Sequence, residues 1–226
     1  MDKQVAWKVF RGVMLGDAGL YSSGSPRYTY FNMGLSGGNL NTLMNYLTHI
    51  KDALSSLGIA ISEDFPKVMG GTSKGKCYDY CSLKTRCSPV LAEEWPKWYL
   101  KKKQLVPPDI QLDPVTIAHW FMGDGSSQYG ASGCVYTIFA THNFLESSIL
   151  ILESQLHNLG LNTCRGYDKR IKNGDGILIM LPQDSVNRFM DMVKPHMLEP
   201  YLYKLKYREL PAREYVQRGP YSRRWH

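Results

Sequence analysis

The chain has 226 residues, with 27 Lys and Arg against 20 Asp and Glu and a net charge of +7. That length holds one large domain or two fused small ones, and 43% apolar with 21% charged residues excludes wholesale disorder, collagen-like repeats and a long coiled coil. Five cysteines, an odd number, read as reduced thiols of an intracellular compartment rather than a disulfide framework; early charges leave no signal-peptide core, and no apolar run approaches the ~20 residues that cross a bilayer.

Positive charge is clustered. Residues 67–103 carry nine basic side chains against three acidic, residues 104–164 carry no Lys or Arg, and seven basic against two acidic follow from Lys204 onward. Such clusters point to a polyanion. No basic segment also shows a continuous apolar helical face, so nucleic acid is expected and a membrane partner is not.

In chain order, Phe10 to Ala18 reads as the end of a helix closing on Gly16-Asp17. From Arg27 to Leu35, Phe31, Met33 and Leu35 alternate with Tyr28, Tyr30 and Asn32, as in a strand with one buried and one open face. Leu43, Leu47, Ile50, Leu54 and Leu57 have helical spacing, and Gly58 is placed to close that helix. Gly70-Gly71 to Gly75 is read as a hairpin connection into a strand that alternates Lys76, Tyr78, Tyr80, Ser82 and Lys84 with less polar positions. A helix over roughly Pro89 to Leu100 ends the first half.

The pattern then recurs. Ile117 to Gly125 closes on Gly123-Asp124, Cys134 to Thr141 reads as a strand of undecided face, and Leu145, Ile149, Leu152, Leu156 and Leu159 repeat the earlier helix at an offset of 102 residues, Gly160 included. A strand bearing Arg165, Tyr167 and Lys169 on its outward face, a strand Ile177 to Leu181 and a helix from about Asp184 to Val193 complete the second copy. Each copy thus has the order helix, two strands, helix, two strands, helix.

The two Gly-Asp helix ends carry the chemistry. Gly12 and Gly16 lie four residues apart on one helical face, where missing side chains admit a close neighbour; the second helix keeps Gly123 and has His119 at the earlier place. An acidic residue at the carbonyl end of a helix opposes the dipole by roughly 0.3 to 1 kcal/mol, and a divalent cation would compensate two such carboxylates. Cys77, Cys81 and Cys87 lack zinc spacing, and Pro108-Asp109 lacks the downstream acid-x-Lys of Pro-Asp nucleases.

Taken together, the paired Gly-Asp motifs, the repeat, the Pro114-Val115-Thr116 lead and the Leu202-Tyr203-Lys204-Leu205 segment resemble the single-chain, two-motif LAGLIDADG homing endonucleases over most of residues 5–207. The resemblance implies an α+β fold of duplicated αββαββα units, with two antiparallel sheets forming a DNA-binding saddle around the central motif helices. It divides the chain into halves 1–103 and 104–207 and a basic tail, 208–226. It implies metal-dependent double-strand cleavage of a long asymmetric DNA site with short 3′ overhangs. Asp17 and Asp124 would bind Mg2+, or Mn2+ or Ca2+ in its place, with the carbonyls of Gly16 and Gly123 as further ligands. Lys204 would serve one scissile phosphate and either Lys103 or Gln104 the other. Base and phosphate contacts fall to Arg27, Tyr28, Tyr30, Asn32, Lys76, Tyr78, Tyr80, Lys84, Arg86, Arg165, Tyr167 and Lys169. The expected partner is double-stranded DNA, bound by a monomer with pseudo-twofold symmetry; the alternative is an intron RNA maturase or a non-cleaving binder of the same fold. An organellar or prokaryotic setting is expected.

Overall fold

The computed structural model describes the chain apart from residues 23, 74, 101–102, 131–133, 169–175 and 208–226, so Lys169 and the basic tail lie outside the described residues. The first half runs α1 (Lys3–Leu15), β1 (Ala18–Ser22), β2 (Thr29–Ser36), α2 (Leu40–Ser56), β3 (Lys67–Ser73), β4 (Lys76–Lys84) and α3 (Pro89–Trp98). A short hairpin, β5 (Tyr99–Leu100) and β6 (Lys103–Gln104), leads into α4 (Pro114–Asp124), β7 (Gly125–Tyr129), β8 (Val135–Phe139), α5 (Glu146–Asn158), β9 (Cys164–Tyr167), β10 (Ile177–Leu181) and α6 (Gln183–Val193). The duplicated αββαββα order is therefore present, and the 103/104 division falls inside β6.

Each half builds one antiparallel four-stranded sheet, in the orders β1-β2-β4-β3 and β7-β8-β10-β9. The duplication extends to individual bonds. Where α2 ends, Gly58 takes φ +77° and Ile59 N donates to Leu54 O at 3.0 Å; where α5 ends, Gly160 takes φ +72° and Leu161 N donates to Leu156 O at 3.0 Å. Both ends are Schellman closures, which need a residue tolerant of the left-handed region.

Helices α1 and α4 begin alike because both have an acidic cap. Asp2 Oδ1 accepts from Gln4 N and Val5 N, and Asp113 Oδ1 accepts from Val115 N and Thr116 N, with Pro114 preset for the first turn. The two helices pack side by side through a continuous apolar core that includes Phe10, Val13, Trp120 and Phe121. The approach is close because Gly12 has no side chain: a Cβ there would stand 2.5 Å from Thr116 O and 2.6 Å from His119 Cβ. In α2, Leu43, Leu47, Ile50 and Leu54 are all buried, each contributing about 1.5 to 3 kcal/mol of burial free energy.

Two local expectations change. Gly70 and Gly71 belong to strand β3, opposite Asp79 and Tyr78, and that strand runs on to Ser73 before β4 begins at Lys76. Arg27 and Tyr28 sit in a 3-10 turn, Pro26–Tyr28, ahead of β2 rather than in it; Pro26 fixes that turn and Ser25 caps it. Among the described residues no helix is long and apolar enough to cross a membrane.

Candidate active site and nucleic-acid interface

The carbonyl ends of α1 and α4 meet. A Cβ on Gly123 would lie 3.3 Å from Asp17 Oδ2, and one on Gly16 would lie 3.4 Å from Gly123 Cα and 3.5 Å from Asp124 N. Glycine at both positions lets the chains touch backbone to backbone, which sets Asp17 and Asp124 beside each other. Asp124 is the last residue of α4, while Asp17 lies one residue beyond the Gly16 cap of α1.

Burial raises both carboxyl groups. Asp17 is pushed up chiefly by desolvation, with Lys204 pulling it back. Asp124 is raised to about 7, first by desolvation and then by the Asp17 charge, again opposed by Lys204. Two carboxylates that repel each other, Asp124 half-buried and Asp17 desolvated by its neighbours though its surface is still open to solvent, are a site with an affinity for a cation, and their hard oxygens fit magnesium or a similar ion. Among the described residues no set of three or more His, Cys, Asp and Glu side chains forms a metal cage, so further ligands would come from backbone, water or substrate oxygens.

Lys204 already answers part of the charge problem. It ends a 3-10 turn, Glu199–Lys204, and its ammonium donates to the carbonyls of Phe121, Met122, Gly123 and Gly125 at 3.2, 2.6, 3.0 and 2.9 Å. Three of these carbonyls belong to the last turn of α4, where the Phe121 oxygen also accepts from Gly125 N, and the fourth is the cap residue, so the lysine caps the helix that bears Asp124. The Gly123 carbonyl, expected as a metal ligand, is thus held by Lys204. Burial lowers the Lys204 pKa, and the attraction of Asp17 and Asp124 opposes that shift.

The first half has an uncharged counterpart. Gln104 Nε2 donates to Met14 O at 3.1 Å, and Met14 precedes Asp17 by three residues as Phe121 precedes Asp124. Lys103 is exposed on the other side of the short β6 strand. Of the two alternatives, Gln104 therefore occupies the position that matches Lys204. Two tyrosines that the sequence reading missed wall the site: Tyr46 and Tyr201 have ring centroids 4.9 Å apart, and burial together with Asp17 raises both phenols. Tyr46 lies among the buried positions of α2, and no sequence signal separates it from a core residue.

Cross-strand partners share a face, so register places the surface residues. Tyr30, Asn32, Lys76, Tyr78, Tyr80 and Lys84 all lie on the open face of the first sheet, opposite the buried Phe31, Met33, Leu35, Cys81 and Leu83. Tyr21 and Lys67 join them; the pairings Tyr21 with Tyr30 and Lys67 with Ser82 reveal them, and periodicity within single strands does not. Tyr21 stacks on Tyr30 at 5.8 Å, and the Lys84 ammonium lies 4.5 Å from the Tyr30 ring centre. The outer parts of β3 and β4 are exposed on both faces, forming a two-stranded ribbon clear of the helices. Arg27 and Tyr28 flank this face, and Arg86 follows β4, ion-paired with Glu63.

The second sheet departs from expectation. Arg165 pairs with the buried Ile179 and Tyr167 with Ile177, so both are on the helix-packed face and not the outward one. Arg165 donates to Glu153 Oε1 and Oε2 at 2.9 and 2.8 Å and to Glu146 Oε1 at 2.7 Å, which fastens β9 to α5. Tyr167 is exposed at the sheet edge. Asp109 likewise has a structural partner, accepting from Arg11 with both oxygens at 3.1 and 3.0 Å.

Residues 7–189 match the LAGLIDADG DNA endonuclease family. Similar proteins include the uncharacterized protein MJ1098 of Methanocaldococcus jannaschii, 23% identical over 197 residues that make up 86% of this chain and 71% of that one. Among solved structures, the homing endonuclease I-WcaI bound to its DNA recognition sequence shares the fold with a TM-score of 0.74 at 17% identity, over 91% of this chain and 87% of the other. With the match spanning both Gly-Asp motifs and both sheets, the chain belongs to the LAGLIDADG DNA endonuclease family.

Proposed function

We propose that this chain is a site-specific endonuclease that cuts both strands of a long, asymmetric DNA duplex and leaves short 3′ overhangs. The observation that carries the reading is the meeting of Asp17 and Asp124 at the joined carbonyl ends of α1 and α4. A binding protein gains nothing from two acids at that axis, because uncompensated carboxylates repel phosphate.

Asp17 and Asp124 would hold magnesium, which when bound activates water and neutralises charge developing on the phosphate. The remaining work belongs to the protein. Lys204 keeps α4 capped and holds down the Asp124 pKa, favouring its ionised form. Gln104 caps the end of α1 without adding charge. The open face of the first sheet presents donors and aromatic rings along a two-stranded ribbon, a shape that the major groove admits. Tyr30, Asn32, Tyr78 and Tyr80 suit base edges, and Lys67, Lys76 and Lys84 suit phosphates. One chain supplies both acids and both sheets, which suits a monomer.

The test is selection of cut sites from a randomised duplex library with the purified protein and magnesium. Asp17→Asn and Asp124→Asn should each abolish double-strand cleavage while leaving binding in place. Cleavage by either variant at the rate of the unaltered protein would refute the assignment.

A further inference from the structure

The two sheets present unlike chemistry on corresponding faces. Register places Ser126, Gln128, Tyr136, Ile138, Leu178 and Met180 on the open face of the second sheet, with Met180 directly opposite Ile138. Among the described residues of β7 to β10 the single basic side chain is Arg165, and it faces α5. The same face of the first sheet carries Lys67, Lys76 and Lys84.

The neutral face is shaped as a low apolar strip. A Cβ on Gly166 would come within 2.6 Å of Met180 Sδ, so glycine lets Met180 lie down across β9. Ile138, Leu178 and Met180 are half-buried, leaving part of each apolar surface open. Tyr136 donates to Gln128 Oε1 at 3.0 Å, which fixes the amide and leaves its hydrogens free to turn outward.

We propose that the second sheet reads a thymine-rich half of the DNA site through apolar contact with thymine methyl groups. The inference rests on the endonuclease reading, which lays both open faces along one duplex. In the major groove the thymine C5-methyl is the apolar group on a base edge, and a strip of Ile, Leu and Met on a face where the described strand residues place no cation matches it better than it matches phosphate. Gln128 adds a donor for an acceptor such as thymine O4 or adenine N7.

The experiment starts from duplexes retained by the unaltered protein from a randomised library. Each half of the retained site is then remade with uracil in place of thymine, which removes only the methyl groups. Affinity should fall about fourfold per contacted methyl in one half, and the Ile138→Ala/Met180→Ala variant should lose that sensitivity while Lys76→Ala keeps it. Binding indifferent to uracil in both halves, or sensitivity that persists in the double variant, would overturn the inference and leave the endonuclease reading standing. Concentration-dependent dimerisation abolished by the double variant, with uracil-indifferent binding, would assign the strip to a second copy and also overturn it. A library that yields no retained or cut duplex would overturn both readings.

Discussion

Gln104 and Lys204 occupy matching places on the two halves but differ by a full charge: the amide of one donates to Met14 O, and the ammonium of the other to Phe121 O and three further carbonyls. Lys204 attracts Asp17 as well as Asp124, so the asymmetry lies in the helix ends themselves, a cation capping α4 and a neutral amide capping α1, and on the endonuclease reading the two strand cuts should be unequal. On a supercoiled plasmid carrying the target, nicked circles should accumulate before linear DNA. Gln104→Lys should shrink that intermediate, whereas equal rates of both cuts in the unaltered protein would show that the charge difference has no catalytic consequence.

The Asp124 carboxyl is raised to about 7, first by burial and then by Asp17, so near neutral pH the metal-free protein is about half protonated there and a cation must displace that fraction. Magnesium affinity should therefore rise as pH increases from 6 to 8, with proton release that calorimetry in buffers of different ionisation enthalpy measures. Lys204 lowers the Asp124 value, so Lys204→Gln should move the whole profile to higher pH. A profile unchanged by that substitution would remove Lys204 from the electrostatics of the pair.

Much of this arrangement was legible in the chain. The 102-residue offset of the leucine helices and the two Gly-Asp endings implied both the duplication and the meeting of the acids, because helical periodicity and small-residue contacts are local signals. What escaped was set by pairing across strands. Gly70-Gly71 looked like a turn, yet Gly71 sits within β3 because Tyr78 lies over it, where a Cβ would come within 2.8 Å of the ring. Arg165 looked outward because a four-residue strand has no reliable alternation of its own, and only its register against Ile179 reveals the inward face. Helix-end repulsion pointed to a cation at the acids, but the lysine that supplies part of it comes from a turn 80 residues after Asp124.

The contact of α1 with α4 depends on the bare backbone of Gly12. Gly12→Ala puts a methyl group 2.5 Å from Thr116 O, which is backbone and cannot swing aside, so the helices must separate. A loss of about 1 to 3 kcal/mol in urea unfolding is expected, despite the better helix propensity of alanine. Cleavage should suffer beyond the loss of stability, since the separation also parts Asp17 from Asp124. A variant with unchanged unfolding would mean that the close approach is not maintained in solution.

The methyl-sized space at Gly12 is matched across the interface by the larger residue of the second copy, His119, whose Nδ1 donates to Val115 O at 2.9 Å and whose Nε2 meets His49 Nε2 at 3.1 Å. With Nδ1 protonated, His119 Nε2 is the acceptor and His49 the donor, an arrangement that requires neutral His119. Burial holds His119 down to about 4, and His49 is lowered as well, chiefly by burial. The unfolded chain therefore binds more protons than the folded one between pH 6.5 and 4, so this contribution to stability is complete above 6.5 and is lost as pH falls toward 4, by up to about 3 kcal/mol. Asp124 acts in the opposite sense, because its raised value makes the fold bind an extra proton as pH drops through about 7, and the raised Asp17 adds to it in the same direction. The histidine term is isolated by comparing the unaltered protein with His119→Asn in urea at pH 7 and 4.5. The stability of the unaltered protein should fall relative to the variant over that interval, and a difference that stays constant with pH would mean that His119 is not held neutral by the fold.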